Sequence, residues 1–290
     1  MTVGIILAGG SGTRLRPLTQ SFSKQLLPVY DKPMIYYPLA TLMLAGIREF
    51  ALISTTHDQV LFKNLLGDGS QLGISISYFI QSEPNGIAES FLICEDFIGG
   101  RSCALILGDN IFYGQNLGGK LNEFVDPEGA VIFGYRVSNP SDYGVLTIGD
   151  SGRPLAISEK PENPDSNIAI PGLYFFDNNV VEVARQVKPS TRGELEITSV
   201  LNSYLEKEML TAHILPRGTA WLDTGSFETL HDASSFIKAI EDRQGLKISC
   251  IEEISFRSGW IDKTQLKNLA ESLSKSEYGQ YLYTIFKESI

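Results

Sequence analysis

The stretch GIILAGGSGTRLRPLTQSFSKQLLPV, Gly4–Val29, decides the fold, because an apolar run passes directly into a glycine-rich loop. The run Val3–Leu7 predicts a buried strand. Glycines in the loop can turn backbone N–H groups towards an anion and let it approach closely. Three cations follow within the same unit: Arg14, Arg16 and Lys24. This combination favours a phosphate site over a plain surface turn, which remains the alternative for glycines alone.

The loop matches neither of two common phosphate-binding motifs. Walker A requires a lysine followed by Ser or Thr after its last glycine, and Gly9–Arg14 has none. A dinucleotide fingerprint could begin at Gly10, but its third glycine position falls on Leu15. The next strand, Phe50–Ser54, is followed by threonines instead of a ribose-binding acid. A nicotinamide-dependent oxidoreductase is therefore the less favoured function.

Strand and helix patterns alternate over the first half of the chain. The predicted strands are Val3–Leu7, Phe50–Ser54, Ile74–Ile80 and Cys103–Leu107. The predicted helices are Pro33–Ala45, Gln59–Leu66 and Ile87–Phe97. Such alternation predicts an α/β fold with a Rossmann-like, mostly parallel central sheet and helices on both faces. Ligands bind beyond the carboxyl ends of such strands, at the edge that would hold Gly9–Arg14, Gln81–Gly86 and Gly108–Asn110.

The pattern changes after about Glu128. Short β-rich segments with turns between them predict hairpins: AVIFGYRV, YGVLTI, PLAIS and IPGLYFF. Helices are predicted again at Asn178–Gln186 and Leu195–Lys207, and HILP and TAWLD predict late strands. From Phe227 onward the pattern is largely helical. The acidic pair Glu252–Glu253 is expected on a solvated face.

Composition excludes several classes of protein. The 290 residues are 43% hydrophobic and 20% charged, as in ordinary globular proteins. The net charge of −10, without a basic stripe, is evidence against a nucleic-acid partner. Apolar runs such as Ala104–Leu107 are far too short to span a bilayer, and the N-terminal residues lack the features of a signal peptide. No membrane partner is therefore expected.

The cysteines and histidines suggest no metal or disulfide framework. Cysteine occurs three times, an odd number, which suits a reducing cytoplasm, and each is expected to be a small buried side chain: Cys94, Cys103 and Cys250. The histidines show no metal-ligand spacing: His57, His213 and His231.

Two aspartates stand at predicted strand ends. Asp109 follows Cys103–Leu107 in LGDN, and Asp223 lies in WLDTG. Either alone is more often a turn-capping residue. Together, at a crevice, the two carboxylates would suit Mg²⁺, which prefers oxygen ligands and usually binds through one or two carboxylates plus substrate phosphates.

Several segments together give a specific resemblance. They are LAGGSGTRLRPLT, SKQLLPVYDKPMIYYPLATLMLAGI, LILGDNIFYG, EKPENPDSN, GLYFFDN, RGELEIT, GTAWLDTG and GWIDKTQL. As a set, from Val3 to about Leu282, they closely resemble the sugar-nucleotide pyrophosphorylases, and in particular the short-form glucose-1-phosphate thymidylyltransferases. The family's Q-P-S-P-D-G-L-A is here QSEPNGIA, which differs at Ser82, Glu83, Asn85 and Ile87. Ile168 and Pro171 also depart from the family pattern.

The resemblance implies a reaction and a role for each matching residue. A sugar 1-phosphate would attack the α-phosphorus of dTTP and release pyrophosphate, with glucose 1-phosphate as the sugar substrate. The catalytic set would be Arg14, Lys24, Asp109, Lys160 and Asp223, with Mg²⁺ held by Asp109 and Asp223. The nucleotide would lie against Leu7, Ala8, Gly9, Gly10, Gly12, Thr13, Arg14, Lys24, Gln81, Gly86 and Asp109. The sugar phosphate would lie against Tyr143, Gly144, Glu159, Lys160, Ile170 and Tyr174.

The resemblance also implies an organisation and an assembly. Residues 1–226 would form the nucleotidyltransferase core, with a sugar-binding β insertion at about 129–176. Residues 227–290 would form a mainly helical extension that serves as an oligomer or regulatory surface. Family members form tetramers with a second nucleotide site for feedback inhibition, and the matching residues are Gly114, Arg217, Gly218 and Arg257.

Two questions stay open at this stage. A catalytically silent, nucleotide-sensing subunit of the same fold is the second hypothesis, although the catalytic set is intact. Thymine differs from uracil by one methyl group, worth roughly 1–3 kcal/mol in a pocket, so UTP remains an alternative to dTTP.

Overall fold

The computed structural model describes residues 2–10, 12–150 and 152–288, in which strands and helices alternate. The strands are β1 (Val3–Leu7), β2 (Pro28–Val29), β3 (Lys32–Pro33), β4 (Glu49–Ser54), β5 (Ser75–Ile80), β6 (Cys103–Leu107), β7 (Asn110–Tyr113), β8 (Ala130–Arg136), β9 (Gly144–Ile148), β10 (Pro154–Glu159), β11 (Ile168–Ala169), β12 (Leu173–Phe176), β13 (Leu210–Ile214) and β14 (Ala220–Asp223). The helices are α1 (Tyr36–Leu44), α2 (Thr56–Leu66), α3 (Glu89–Ile93), α4 (Glu95–Ile98), α5 (Leu117–Asn122), α6 (Val180–Gln186), α7 (Ile197–Glu206), α8 (Phe227–Gln244), α9 (Ile251–Arg257), α10 (Lys263–Ser272) and α11 (Glu277–Glu288).

The central sheet has ten strands in the order β10-β9-β11-β8-β12-β6-β1-β4-β5, with β13 paired to β8. Strands β6, β1, β4 and β5 run parallel, as the first half of the sequence predicts. Strand β12 is antiparallel to both β6 and β8, and it joins the parallel half to the hairpins. The predicted α/β fold is confirmed, and its parallel strands are concentrated on the side of the glycine-rich loop.

Strand β1 is buried on both faces, which is why helices pack on both sides of the parallel half of the sheet. All five of its residues are buried. Because successive side chains point to opposite faces, Ile5 packs into one apolar core and Ile6 into the other. Helices cover both faces of the sheet, so only the strand ends remain accessible to a ligand. Leu7 is in register with Ile53 and Leu107, which places the loops after all three strands at one edge.

The hairpin region brings the predicted sugar-site segments together. Strand β9 pairs antiparallel with β10, so Gly144 lies opposite Glu159. The Lys160 N–H donates to Tyr143 O at 3.1 Å, and the Ile170 N–H donates to Gly144 O at 2.8 Å. Segments distant in sequence therefore share one wall.

A buried ionic cluster fastens the C-terminal helices to the rest. Lys32 Nζ lies 2.9 Å from Glu241 Oε1 on α8, and only 1% and 4% of the two side chains is exposed. Glu241 also accepts from Lys247 Nζ and from the Ile248 N–H. Lys32 in addition pairs with Asp31. The start of α8 is fixed by a capping box between Ser226 and Thr229.

The expectation of a solvated Glu252–Glu253 pair is wrong. Helix α9 packs against α1 on one side and α11 on the other, which buries Glu252 to 5% exposure. Its carboxylate accepts from the Tyr278 hydroxyl, and burial raises its pKa. Glu253 accepts from Arg257 Nε and from the Tyr281 hydroxyl.

Other differences from the sequence expectations are local. The predicted helix Ile87–Phe97 is broken at Cys94, whose φ and ψ of −100° and 15° separate α3 from α4. All three cysteines are free and buried, as expected. Within the described ranges, we find no helix with the length and apolar character that crossing a membrane requires.

Candidate active site

A cavity of about 390 Å³ opens at the carboxyl edge of the parallel strands. Its walls come from the glycine-rich loop, the turn after β6, the β9–β10 hairpin and the end of β14. The structure brings most of the predicted site residues into its lining: Gly9, Gly10, Gly12, Thr13, Arg14, Lys24, Asp109, Tyr143, Gly144, Glu159, Lys160, Ile170, Tyr174 and Asp223.

The glycine-rich loop leaves β1 sharply. Gly10 and Gly12 have φ of 110° and 54°, a region that favours glycine. The Thr19 hydroxyl donates to Gly12 O at 2.7 Å and holds the loop from behind. A 3-10 turn at Thr13–Leu15 then buries Leu15, while the neighbouring Arg14 is exposed and lines the cavity. Leu7 and Ala8 support the loop from the end of the strand.

Lys24 projects into the cavity from a second 3-10 turn, Lys24–Leu26. The Ser23 hydroxyl caps that turn by accepting from the Gln25 N–H. Lys24 is 8% exposed, and its Nζ lies 2.7 Å from Asp109 Oδ2. A buried ammonium would be costly alone, so this carboxylate stabilises it.

Asp109 and Asp223 approach each other because β7 and β14 pair antiparallel. Asp223 is in register with Asn110, the neighbour of Asp109. The pKa of Asp223 is raised, first by burial and then by the charge of Asp109, while Lys24 and Arg14 oppose the rise. Two mutually repelling oxygen donors in one cavity fit a divalent cation of the Mg²⁺ type. Within the described residues no cluster of three or more His, Cys, Asp or Glu offers another metal site.

Asn110 organises these carboxylates, a role that the sequence analysis missed. Its Oδ1 accepts from Trp221 Nε1 at 2.6 Å and from the Gly172 N–H at 3.0 Å. Its Nδ2 donates to Asp109 Oδ1 at 2.9 Å. One buried amide therefore ties β7, β14 and the start of β12 to the position of Asp109. The only feature of the sequence that could have indicated this role is the position of Asn110 directly after Asp109 in LGDN.

The predicted sugar side is built around Glu159. Burial and the nearby Glu196 raise the pKa of Glu159, and Lys160 and Arg192 act in the opposite direction. Arg192 Nη2 lies 3.4 Å from Glu159 Oε1 and 2.8 Å from Glu196 Oε1. Arg192 and Glu196 lie within the matching segment RGELEIT, but no role for either residue was predicted from the sequence.

Tyr143 and Tyr174 frame the same side. The Tyr143 hydroxyl donates to Asp223 Oδ2 at 3.4 Å, and its ring packs edge-on against Trp221 with centroids 5.0 Å apart. Burial raises the pKa of Tyr143 to about 12. Tyr174 is 3% exposed, and burial raises its pKa further, so neither phenol serves as a base near neutral pH.

The predicted base-side residues Gln81 and Gly86 do not line the cavity but lie next to residues that do. Gln81 is 5% exposed, and an ideal Cβ on Gly9 would lie 2.7 Å from Gln81 Oε1. Gly86 has φ of 107° and approaches Leu195 so closely that a Cβ would lie 2.4 Å from Leu195 O. Two backbone hydrogen bonds join the same segments, from Leu195 N–H to Asn85 O at 2.6 Å and from Ala88 N–H to Leu195 O at 3.0 Å.

The four residues predicted for a regulatory site fall into two groups. Gly114 follows β7, and an ideal Cβ there would lie 3.1 Å from Thr219 Oγ1. Arg217 and Gly218 belong to the turn just before that threonine, so these three share one end of the β7–β14 ribbon. Arg257 is on α9 and is ion-paired with Glu253 at 2.6 Å.

Comparison with known proteins shows the family to which the chain belongs. The family model "Nucleotidyl transferase" matches residues 3–240, and the chain therefore belongs to the nucleotidyl transferase family. Within that family, the chain is 56% identical over 286 residues to the glucose-1-phosphate thymidylyltransferase of Mycobacterium tuberculosis (strain ATCC 25618 / H37Rv), covering 99% of both chains. The predicted relationship to the glucose-1-phosphate thymidylyltransferases is confirmed.

Solved structures give the same class. A crystal structure from Bacillus anthracis, of a protein assigned to the glucose-1-phosphate thymidylyltransferases and in complex with a sucrose, is 37% identical with a TM-score of 0.76, covering 81% of this chain and 95% of that one. A UDP-glucose pyrophosphorylase complexed with UDP-glucose is 25% identical with a TM-score of 0.72, covering 84% of this chain and all of the other.

Proposed function

We propose that this protein forms dTDP-glucose and pyrophosphate from dTTP and glucose 1-phosphate. The observation that carries the proposal is the gathering of the predicted catalytic set, Arg14, Lys24, Asp109, Lys160 and Asp223, around one cavity. The relatives named glucose-1-phosphate thymidylyltransferase support the choice of nucleotide and sugar.

The reaction is an in-line displacement at phosphorus. An oxygen of the sugar phosphate forms a bond to the α-phosphorus of dTTP, and the bond to the β-phosphate oxygen breaks as pyrophosphate leaves. The attacking phosphate is already an anion near neutral pH, so no general base is required. Alignment of the two anions and stabilisation of charge supply the catalysis.

Cations are placed so that both the leaving pyrophosphate and the attacking sugar phosphate have their charge neutralised. Arg14 and Lys24 bind the β- and γ-phosphates and stabilise the leaving group. Lys160 binds the sugar phosphate, and Glu159 accepts from sugar hydroxyls. The ion pair of Lys24 with Asp109 holds the ammonium in position before the nucleotide binds.

Asp109 and Asp223 are the residues that would hold Mg²⁺. When bound, the ion would neutralise phosphate charge and offset the repulsion between the two reactants. Asn110 fixes the orientation of Asp109, and the Tyr143 hydroxyl contacts Asp223, so this chain presents oxygen ligands in a defined place.

Pyrophosphate release tests the proposal directly. The purified protein is assayed with dTTP or UTP, each paired with glucose 1-phosphate or galactose 1-phosphate, with and without Mg²⁺. We expect the fastest release with dTTP and glucose 1-phosphate and almost none without Mg²⁺. A clear preference for UTP would contradict the thymidylyl assignment. No release with any pair would favour the silent, nucleotide-sensing subunit.

The assembly and the location extend the proposal. We infer a cytoplasmic homotetramer in which residues 227–290 form part of the subunit contacts, with the three buried free cysteines suited to a reducing compartment. A second nucleotide site would include Gly114, Arg217, Gly218 and Arg257. Sedimentation and inhibition by dTDP-rhamnose test these statements separately.

A further inference from the structure

Asp58 ties the turn that carries Lys24 to helix α2. Its Oδ1 accepts from the Ser23 N–H at 2.9 Å, across 35 positions of the sequence. Both residues are buried, with 4% of Ser23 and 7% of Asp58 exposed. A buried backbone N–H needs an acceptor, and an ionised carboxylate makes the stronger kind of hydrogen bond. The contact therefore anchors the chain at the residue that directly precedes Lys24.

The two carboxylate oxygens of Asp58 have different partners. Oδ2 accepts from the Thr55 hydroxyl at 2.8 Å, and that hydroxyl accepts from the Asp58 N–H at 3.2 Å, so this half closes the first turn of α2. Oδ1 instead contacts Ser23 and, at 3.2 Å, Nδ1 of the exposed His57. The capping of α2 and the anchoring of Ser23 can therefore be removed separately.

The anchored turn is also fixed at its far end. The Ser23 hydroxyl accepts from the Gln25 N–H at 3.4 Å, and Gln25 O accepts from the Ile35 N–H at 2.9 Å. Residues 20–22, which precede the turn, are exposed. The hydrogen bond to Asp58 thus fixes the point at which the chain enters the turn, and with it the direction from which the lysine reaches the cavity.

We propose that Asp58 is a positioning residue for Lys24, because it fixes the turn so that the ammonium meets the pyrophosphate part of the nucleotide. This inference rests on the proposed function, in which Lys24 binds the β- and γ-phosphates. Asp58 itself does not line the cavity. Before the nucleotide binds, Lys24 pairs with Asp109. Once a phosphate replaces that carboxylate as its partner, the hydrogen bond between Ser23 and Asp58 still holds the turn in place.

The test uses the reverse reaction, in which pyrophosphate attacks dTDP-glucose and is therefore a substrate in its own right. Asp58→Ala leaves the Ser23 N–H without its acceptor. We expect kcat/KM for pyrophosphate to fall about tenfold, the weight of one hydrogen bond to a charged group, with KM for dTDP-glucose unchanged. Asp58→Asn keeps an oxygen acceptor for Ser23 and should restore most of the loss.

Thr55→Val is the matched control for the helix. It removes the hydroxyl that caps α2 and contacts Oδ2, but it leaves Oδ1 available to Ser23. The variant should have a lower melting temperature and an unchanged kcat/KM for pyrophosphate. A fall as large as that in Asp58→Ala would show that the capping of α2 is responsible and would overturn the inference.

A double variant separates positioning from a general structural role. If Asp58 acts through Lys24, then Asp58→Ala should have almost no effect on kcat/KM for pyrophosphate in the Lys24→Ala background. A second fall of about tenfold in that background would mean that the two residues act independently, which would overturn the inference. Wild-type kinetics in Asp58→Ala alone would overturn it as well.

Binding without turnover separates a failure of this inference from a failure of the proposed reaction. Titration calorimetry measures the affinity for inorganic pyrophosphate in the presence of Mg²⁺. We expect the affinity to fall about tenfold in Asp58→Ala and to recover in Asp58→Asn, whether or not the protein turns over. Equal affinities in the wild type and Asp58→Ala would overturn the inference even if pyrophosphate release from dTTP is fast.

Discussion

The ammonium of Lys24 and the carboxylate of Asp109 form a direct ion pair, with 2.7 Å between Nζ and Oδ2. The two residues are 85 positions apart, yet the parallel pairing of β1 with β6 places their loops together. The pair links the proposed phosphate clamp to the proposed metal ligands. Any change in one should therefore be felt by the other.

Replacing Lys24 by Ala removes a cation from the proposed leaving-group site. We expect kcat/KM for dTTP to fall on the order of 10²–10³-fold, as for other groups that stabilise transition-state charge. Steady-state pyrophosphate release is the measurement. Lys63→Ala is the control, since Lys63 is exposed on α2 and should leave the rate unchanged. Activity within twofold of the wild type in Lys24→Ala would refute the role.

Asp223→Asn should lower activity while stabilising the metal-free protein. The pKa of Asp223 is raised by burial and by Asp109, so its ionised form destabilises the fold. That cost is full above the raised pKa and absent below the ordinary aspartate pKa of about 3.9. We expect a higher melting temperature than the wild type at pH 7 in the presence of a chelator. The difference should vanish near pH 3.

Turnover gives the second half of the same prediction. Loss of one of two proposed carboxylate ligands should reduce Mg²⁺-dependent pyrophosphate release on the order of 10²-fold or more. A variant as active as the wild type, or one that is less stable at pH 7, would contradict the assignment.

Asn110→Ala tests the amide that orders the site. The change leaves the indole N–H of Trp221 and the backbone N–H of Gly172 without their acceptor. We expect the free energy of unfolding to fall by about 2–4 kcal/mol, measured by urea denaturation. Asn202→Ala is the comparison, because the Asn202 amide makes a single 3.3 Å contact with Ile157 O. A loss no larger than that of Asn202→Ala would show that the buried network is dispensable.

Lys32→Met tests how the C-terminal helices are fastened. The variant leaves Glu241 buried without its closest fully buried cation, although Lys247 and the Ile248 N–H remain. We expect a loss of about 3 kcal/mol in the free energy of unfolding. Lys238→Met, on the exposed face of the same region, should leave stability nearly unchanged. Equal stabilities for both variants would exclude the buried cluster as the attachment.

The parallel half of the fold was predictable because its strands are short, either apolar or alternating, and separated by helical patterns. The prediction for Cys103–Leu107 coincides with β6. The arrangement of the hairpins was not predictable, since β8 pairs with strands from three other parts of the chain. Alternating apolar residues indicate a strand but do not specify its partners.

The proposed site divides in the same way. Residues within recognisable motifs, such as Arg14 and Asp109, were identified from the sequence and lie in the cavity. Those that contact residues far away in the sequence were missed, among them Asn110 and Arg192. Glu252 shows the reverse error: an acidic pair predicts solvent exposure, but packing of α9 between two helices buries it. Local pattern cannot report such tertiary contacts.

Leu195 exchanges backbone hydrogen bonds with the loop from Asn85 to Ala88, and Arg192 and Glu196 of the same segment contact one another beside Glu159. A shift of the loop beside the proposed base site must therefore move the wall of the proposed sugar site with it. The binding of one reactant would therefore affect the binding of the other through this shared segment of main chain. The fold itself would then determine the order in which the two reactants bind.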